Sequence, residues 1–409
     1  MSYDFITIGQ LLENGEVTIK TGPFGTQLKA SDYVAKGTPV INVRNIGLGT
    51  VVEEKLEYIS DITRDRLKDH IVRENDIVFG RKGAVERHSF IDYKHNNWFQ
   101  GSDCIRLRVN SGKIYPRFMS YYFLTNDHKN AIMQECAHGT IMASLNQSIL
   151  KQMKLPMPKY SEQKAIAATL SCLDDKIELN NRINKNLEEM AQAIFKSWFV
   201  DFEPFQNGEF EDSELGRIPK GWKVGTLGEI ADITMGQSPS GSSYNEDKDG
   251  EVFYQGRTDF GQRYPTVRLY TTEPKRMANK SDILLSVRAP VGDVNVAGEK
   301  CCIGRGLAAL RSKNRHQSFL LYQLLNLKDR FKVYDGEGTV FGSINKDALN
   351  NMLVCIPDEV SVQKFQDVAG KLDEVIENNS NQTNVLVFLR DTLLPKLMSG
   401  EIRVPVEAV

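Results

Sequence analysis

The sequence has little that would anchor it in a membrane, cross-link it, or let it do chemistry alone. No run approaches the ~18–20 apolar residues that a bilayer span needs, and Met1-Ser2-Tyr3-Asp4-Phe5 lacks the basic flank and apolar stretch of a signal peptide. No membrane association is therefore expected, the composition is ordinary for a soluble protein, and a cytoplasmic location is expected. The six cysteines, at 104, 136, 172, 301, 302 and 355, show no C-x-x-C spacing, so reduced thiols are expected rather than disulfides or a zinc site. Phosphate-loop chemistry is missing too: Gly112-Lys113 and Gly370-Lys371 are followed by Ile114 and Leu372 where a P-loop needs Ser or Thr. There is no N-P-P-[FY] tetrapeptide of the kind an amino-methyltransferase needs, and no G-x-S-x-G elbow. Glu53-Glu54-Lys55 and Glu246-Asp247-Lys248 have no upstream Pro-Asp partner to complete a nuclease metal site, so they are expected to be solvated turns. These absences argue against a self-contained ATPase, methyltransferase, nuclease or serine hydrolase, and an enzyme remains only the weaker alternative. No catalytic residue, metal or cofactor of the chain's own is expected.

Strong net charge is also absent, with 51 basic against 53 acidic side chains. The distribution is uneven, however. Residues 1–157 and 219–357 carry net charges of +3 and +4, the stretch 158–200 is neutral, and 201–218 and 358–409 carry −5 and −4. Alone this is weak evidence for phosphate binding, because a domain that grips nucleic acid by itself is usually more basic.

What the sequence does have is a repeat. Gly139-Thr140-Ile141-Met142-Ala143-Ser144-Leu145-Asn146 recurs 199 residues on as Gly338-Thr339-Val340-Phe341-Gly342-Ser343-Ile344-Asn345. Leu173-Asp174-Asp175-Lys176-Ile177-Glu178 recurs at the same offset as Leu372-Asp373-Glu374-Val375-Ile376-Glu377. At the front, Thr7-Ile8-Gly9 matches Thr226-Leu227-Gly228, and Asp76–Arg81 parallels Asp282–Arg288 more loosely. Shared frames with interiors of different size suggest two copies diverged to recognise different things. A duplicated scaffold without a binding role is the alternative.

After each copy comes a heptad pattern. Leu170, Leu173, Ile177, Asn180, Asn184, Leu187, Ala191, Ile194 and Trp198 step by three and four, as do Ala369, Leu372, Ile376, Asn379, Thr383, Leu386, Arg390, Leu393 and Leu397. This is a coiled-coil seam, apolar at its ends with a polar layer in the middle that fixes register. Ser161 and Ser361 are candidate N-caps, Pro395 should end or kink the second helix, and each helix should run about 35 residues. The two helices could pair within one chain or between chains. The first ends on Phe195, Trp198, Phe199 and Phe202, more aromatic surface than one seam buries, to be packed on the second helix or docked on a partner.

The predicted organisation is α+β: a mixed head at 1–157, a central helix at 158–204, a second head at 205–357 with an entry linker at 205–220, and a C-terminal helix and tail at 358–409. Loops rich in Gly and basic or polar residues are the candidates for touching DNA, because glycine permits close backbone approach and Arg, Lys and Gln donate to phosphates and base edges. In the first head these supply Lys20, Thr26, Lys29, Arg44, Arg81, Lys82 and Arg87; in the second, Tyr254, Arg257, Arg263, Arg288 and Arg305.

Four stretches carry a resemblance: Phe195-Lys196-Ser197-Trp198-Phe199-Val200-Asp201-Phe202, Leu215-Gly216-Arg217-Ile218-Pro219-Lys220-Gly221-Trp222, Arg288-Ala289-Pro290-Val291-Gly292-Asp293 and Leu393-Leu394-Pro395-Lys396-Leu397-Met398-Ser399-Gly400-Glu401-Ile402. In this order they resemble the specificity (S) subunits of type I restriction-modification systems over the whole chain. The resemblance implies two target-recognition domains on an antiparallel coiled coil, each reading half of a split, asymmetric site in double-stranded DNA. It implies that two modification (M) subunits, which hold the S-adenosylmethionine, dock on the helices, here through Phe195, Trp198, Phe199, Leu393 and Leu397. Restriction (R) subunits would join through that methyltransferase core. Gly80-Arg81-Lys82-Gly83 departs from its second-head counterpart, so the two loops are not assumed to act alike.

Overall fold

Each head is tied off at its base by its own two ends. Phe5–Thr7 pairs antiparallel with Lys154–Pro156, and Lys223–Thr226 pairs in the same way with Leu353–Ile356. The turns that follow are also duplicated. Thr7 caps Ile8–Glu13 in a reciprocal box with Gln10, and at Leu227–Ile230 the Thr226 N–H donates to Glu229 at 2.9 Å in the corresponding place. The computed structural model describes residues 3–137, 143–335 and 342–405. The repeated Gly139–Met142 and Gly338–Phe341 lie outside the described residues.

Inside the first head, Val17–Thr21, Cys104–Val109, Ile77–Gly80 and His88–Phe90 form a four-stranded antiparallel sheet in that order. Strand side chains alternate between faces. Ile77 and Phe79 therefore join Met119, Phe123 and Ile132 of the helices Pro116–Phe123 and Asn126–Ala137, while Val78 and Cys104 face Ile41 and Val72 on the other side. A second sheet, Tyr33–Val34, Glu57–Ile59, Thr38–Ile41 and Phe99–Gln100, contains one parallel pair.

The second head repeats this plan. Ala231–Met235, Leu307–Ser312, Ile283–Ser286 and Val294–Val296 make the antiparallel sheet. Ile283 and Leu285 turn toward Phe319 and Leu320 of the helix Gln317–Asn326, and Leu284 turns toward Val252 and Cys301. Its companion sheet has five strands, Tyr244–Asn245, Leu269–Thr271, Glu251–Tyr254, Cys301–Ile303 and Met277–Ala278. A hairpin, Phe210–Ser213 with Gly216–Pro219, occupies the entry linker.

The long helices span Tyr160–Phe199 and Glu359–Ser399, 40 and 41 residues, longer than the seam alone suggests. Every one of the eighteen seam positions is buried or half-buried. The first helix begins before Ser161, and Asp358 rather than Ser361 caps the second, accepting from Ser361 N at 2.9 Å. Pro395 does not end its helix, which continues to Ser399. The N–H that proline lacks would have served the Asp391 carbonyl on an exposed turn, where water can replace it.

The chain separates into two compact units, 1–179 with 383–409, and 180–382. Each unit takes one head together with part of both helices, so the division cuts across the sequence boundaries. In the first unit Phe118 and Tyr121 pack on Ile166, Leu170, Leu394 and Leu397. There Glu162 pairs with Arg403 and Asp174 with Arg390, so the helices run antiparallel. In the second unit the duplicated polar layer forms. Asn180 Nδ2 donates to Gln382 at 2.9 Å, Asn379 Nδ2 to Asn184 at 2.9 Å, and Asn184 Nδ2 to Ser380 at 3.1 Å. The same antiparallel sense results, and the pairing is within one chain. No helix among the described residues is long and apolar enough to cross a membrane. All six cysteines are free thiols, and no group of three or more His, Cys, Asp or Glu among the described residues could hold a metal ion.

Candidate nucleic-acid interface

In the first head one candidate, Lys20, lines a cleft of about 570 Å³ where the strand Val17–Thr21 gives way to a loop. Lys20, Thr21, Gly22, Phe24, Gln27, Arg66, Lys68, His70 and Gln147 line it. The loop can leave the sheet here because Gly22 has no side chain: a Cβ would meet the Gly101 carbonyl oxygen at 1.9 Å. Lys20 is held 2.9 Å from Asp69, and Arg66 both donates to the Gln27 carbonyl at 2.9 Å and pairs with Asp32. Thr26 and Lys29 are exposed on the same loop, and Lys29 has no ion pair among the described residues. Burial pushes the His70 imidazole down to about 4, with Lys20 and Arg106 adding to the effect, so it is neutral at physiological pH.

The other first-head candidates lie on separate loops. Arg44 pairs with Glu57 at 2.6 Å and Arg87 lies 3.7 Å from Glu86. Lys82 is 3.3 Å from Asp103 and forms a backbone bridge to Ser144. In the second head Arg288 makes the equivalent bridge to Ser343. Arg288 therefore corresponds to Lys82, not to Arg81. Arg81 corresponds to the buried Val287: Leu145 N donates to the Arg81 carbonyl and Ile344 N to that of Val287.

Arg288 and Arg305 are exposed with no ion pair among the described residues, and Arg257 is tied to Asp293 at 2.8 Å. Tyr254 and Arg263 are corrections, because both are buried. Burial opposes the charge of Arg263, but Asp373 at 2.5 Å, the Tyr322 ring and Glu188 at 3.6 Å outweigh it and hold the guanidinium protonated. Arg263 therefore fastens the second head to the helices of its unit.

The helix aromatics are corrected in the same way. Phe195 and Phe199 are buried against Phe319, Phe365 and Trp222, with Trp198 packed at the edge, so they belong to the core of the second unit. Leu397 is buried, and Leu393 is packed beside it, against the first head's Phe118 and Tyr121. These side chains serve the chain's own head-to-helix packing, leaving little surface for a partner.

Sequence reading missed Phe24, Gln27, Arg66, Lys68, His70 and Gln147. Phe24 and Gln27 lie between Lys20 and Lys29, beside Thr26, and carry no charge to mark them. The others are brought to the cleft only by folding.

Two matches to the family model for the type I restriction modification DNA specificity domain cover residues 4–189 and 219–386. The chain is 32% identical over 375 residues to the MjaX type I restriction enzyme specificity subunit of Methanocaldococcus jannaschii, covering 90% of this chain and 88% of that one. It is 22% identical to the HindI specificity subunit of Haemophilus influenzae over 88% of this chain and 94% of that one. The fold is shared with a type I restriction-modification S subunit from M. genitalium, at a TM-score of 0.62 and 18% identity, over 97% of this chain and 96% of that one. With the domain present twice and two like-built heads on antiparallel helices, this chain belongs to the type I restriction-modification specificity subunits, the non-catalytic, DNA-recognising members of those enzyme complexes.

Proposed function

We propose that the two heads read the two halves of a split target in double-stranded DNA, with the long helices setting the interval between them. The observation that carries this is the duplication of the frame without duplication of the reading loops. The sheets, caps and base strands repeat, whereas the exposed loops differ in length and in charge. Two modification subunits are proposed to dock on the helices and supply the methyl transfer, with restriction subunits joining through them. Phe195, Phe199 and Leu397 are buried, so this docking would use other residues of the helix surfaces.

A gel-shift and footprint series with the chain bound to its modification subunits tests the reading. A protected bipartite sequence with an unread interval is expected. Uniform binding without sequence preference would instead favour a duplicated scaffold.

A further inference from the structure

One aromatic side chain of the first head lies where packing has no use for it. Phe24 is 66% exposed, on the loop that leaves the central sheet after Thr21. A phenyl ring left in water forgoes most of the stabilisation that burial would give it. The loop beneath it is nonetheless shaped: Gly22 presses on the Gly101 backbone, and Gln27 and Leu28 donate to the Phe24 carbonyl at 2.7 and 3.2 Å. The ring thus lines the cleft on an ordered turn.

Its neighbours there are polar groups with unused capacity. The Gln27 side-chain amide makes no hydrogen bond among the described residues. Among the described residues Gln147 spends only its Nε2, on Thr21 at 2.8 Å. Lys68 is exposed and has no ion pair among the described residues. His70 Nδ1 is buried and has no hydrogen-bond partner within the described residues.

The second head is built differently at the same place. Gly236 is the counterpart of Gly22, since a Cβ there would meet the Gly304 carbonyl at 2.1 Å. From it the chain reaches Tyr244 in eight steps, whereas eleven separate Gly22 from Tyr33. The intervening Gln237-Ser238-Pro239-Ser240-Gly241-Ser242-Ser243 contains no aromatic residue.

We propose that Phe24 is the first head's contact with the base stack of the duplex, and that Gln27 and Gln147 read base edges beside it. The cleft would then determine one half of the target, while the second head reads its half without a ring. An apolar side chain set against a base step partly unstacks it. On the major-groove edge a side-chain amide can donate to adenine N7 and accept from the N6 amino group. Lys68 and Lys20 would meet the flanking phosphates.

The inference rests on the DNA-recognition reading and is tested separately from it. The full chain is co-expressed with its modification subunits in a host free of adenine methylation. Methylated adenines are mapped by single-molecule sequencing, and affinity is measured on a duplex carrying the mapped site. Phe24→Ala should weaken binding by about tenfold or more and relax base preference in one half only. Phe24→Tyr, which keeps a ring, should restore most of both. Gln27→Ala should relax a position in that same half, and Ser238→Ala should leave that half intact. An unchanged thermal midpoint shows that the exposed Phe24 was not needed for folding. If the unsubstituted complex is selective and Phe24→Ala matches it in motif and affinity, or alters both halves alike, this assignment is overturned. If the unsubstituted complex shows no sequence preference, the DNA-recognition reading itself has failed.

Discussion

The phenol of Tyr322 donates to Asp373 across 2.8 Å, and in the other unit the phenol of Tyr121 donates to Asp174 across 2.6 Å. In both cases a head's helix is pinned to a long helix through the same carboxylate of the repeat. Different cations close the joints. Arg263, from the second head's own loop, meets Asp373, whereas Asp174 is met by Arg390, from the C-terminal helix, at 3.0 Å and by the first head's Arg117 at 3.8 Å.

These joints should differ in how they fail. Asp373→Ala strands the buried Arg263 with Glu188 alone and should cost about 3–5 kcal/mol. Tyr322→Phe, which removes one hydrogen bond, should cost about 1 kcal/mol. Urea unfolding of the full chain, followed by hydrogen exchange within 180–382, measures both. A loss for Asp373→Ala no greater than that for Tyr322→Phe would contradict the joint.

Cations at the surface should behave in the opposite way. Lys29→Ala, Arg288→Ala and Arg305→Ala should leave unfolding unchanged and lower DNA affinity, each reducing the slope of log affinity against log salt by about 0.9. Arg263→Ala should weaken folding by several kcal/mol, as for other buried ion pairs broken on one side. Salt titrations of binding set beside denaturation midpoints separate the two groups.

The histidines of the first head set a pH limit. Burial pushes His88 down to about 3 and His128 to about 4. In the unfolded chain both titrate near 6.5. As pH falls below about 6.5 the unfolded state takes up protons that the folded head refuses. Stability is therefore complete above that value and declines as pH falls toward about 4, by up to about 1.4 kcal/mol per pH unit for each histidine. Hydrogen exchange at pH 7 and pH 5 should show protection lost in the first head. His128→Phe, which can keep the packing against Phe123, should shallow the decline. An unchanged slope in that variant would mean that the decline does not come from His128.

Much of this was legible in the sequence, for physical reasons. The heptad seam and its Asn180 and Asn379 layer read directly, because a 3.5-residue period has one structural meaning. The repeat exposed the two heads before any strand was assigned. Long-range burial was not legible. Arg263 and Arg305 look alike in a basic loop, yet Asp373, 110 residues on, draws one inside. Phe195 and Phe199 read equally well as partner contacts or core until Phe319 and Trp222 were seen to surround them. Phe24 carries no charge, so only its exposure identified it.

Gly22 offers a test of how rigid the reading loop must be. A methyl group would collide with the backbone of Gly101, and backbone cannot rotate aside. Gly22→Ala should therefore shift the Phe24 loop and lower stability by about 2 kcal/mol or more. Among the methylated sites it should erode only the half assigned to the first head. Gly236→Ala, meeting Gly304, should erode the other half.

If the two heads read two half-sites independently, exchanging one head should alter one half-site alone. Residues 219–357 are replaced by the corresponding head of another specificity subunit, and the adenines methylated by the resulting complex are mapped genome-wide. One half of the bipartite motif should change while the other half and the interval stay as they were. A motif changed in both halves, or in neither, would contradict independent reading.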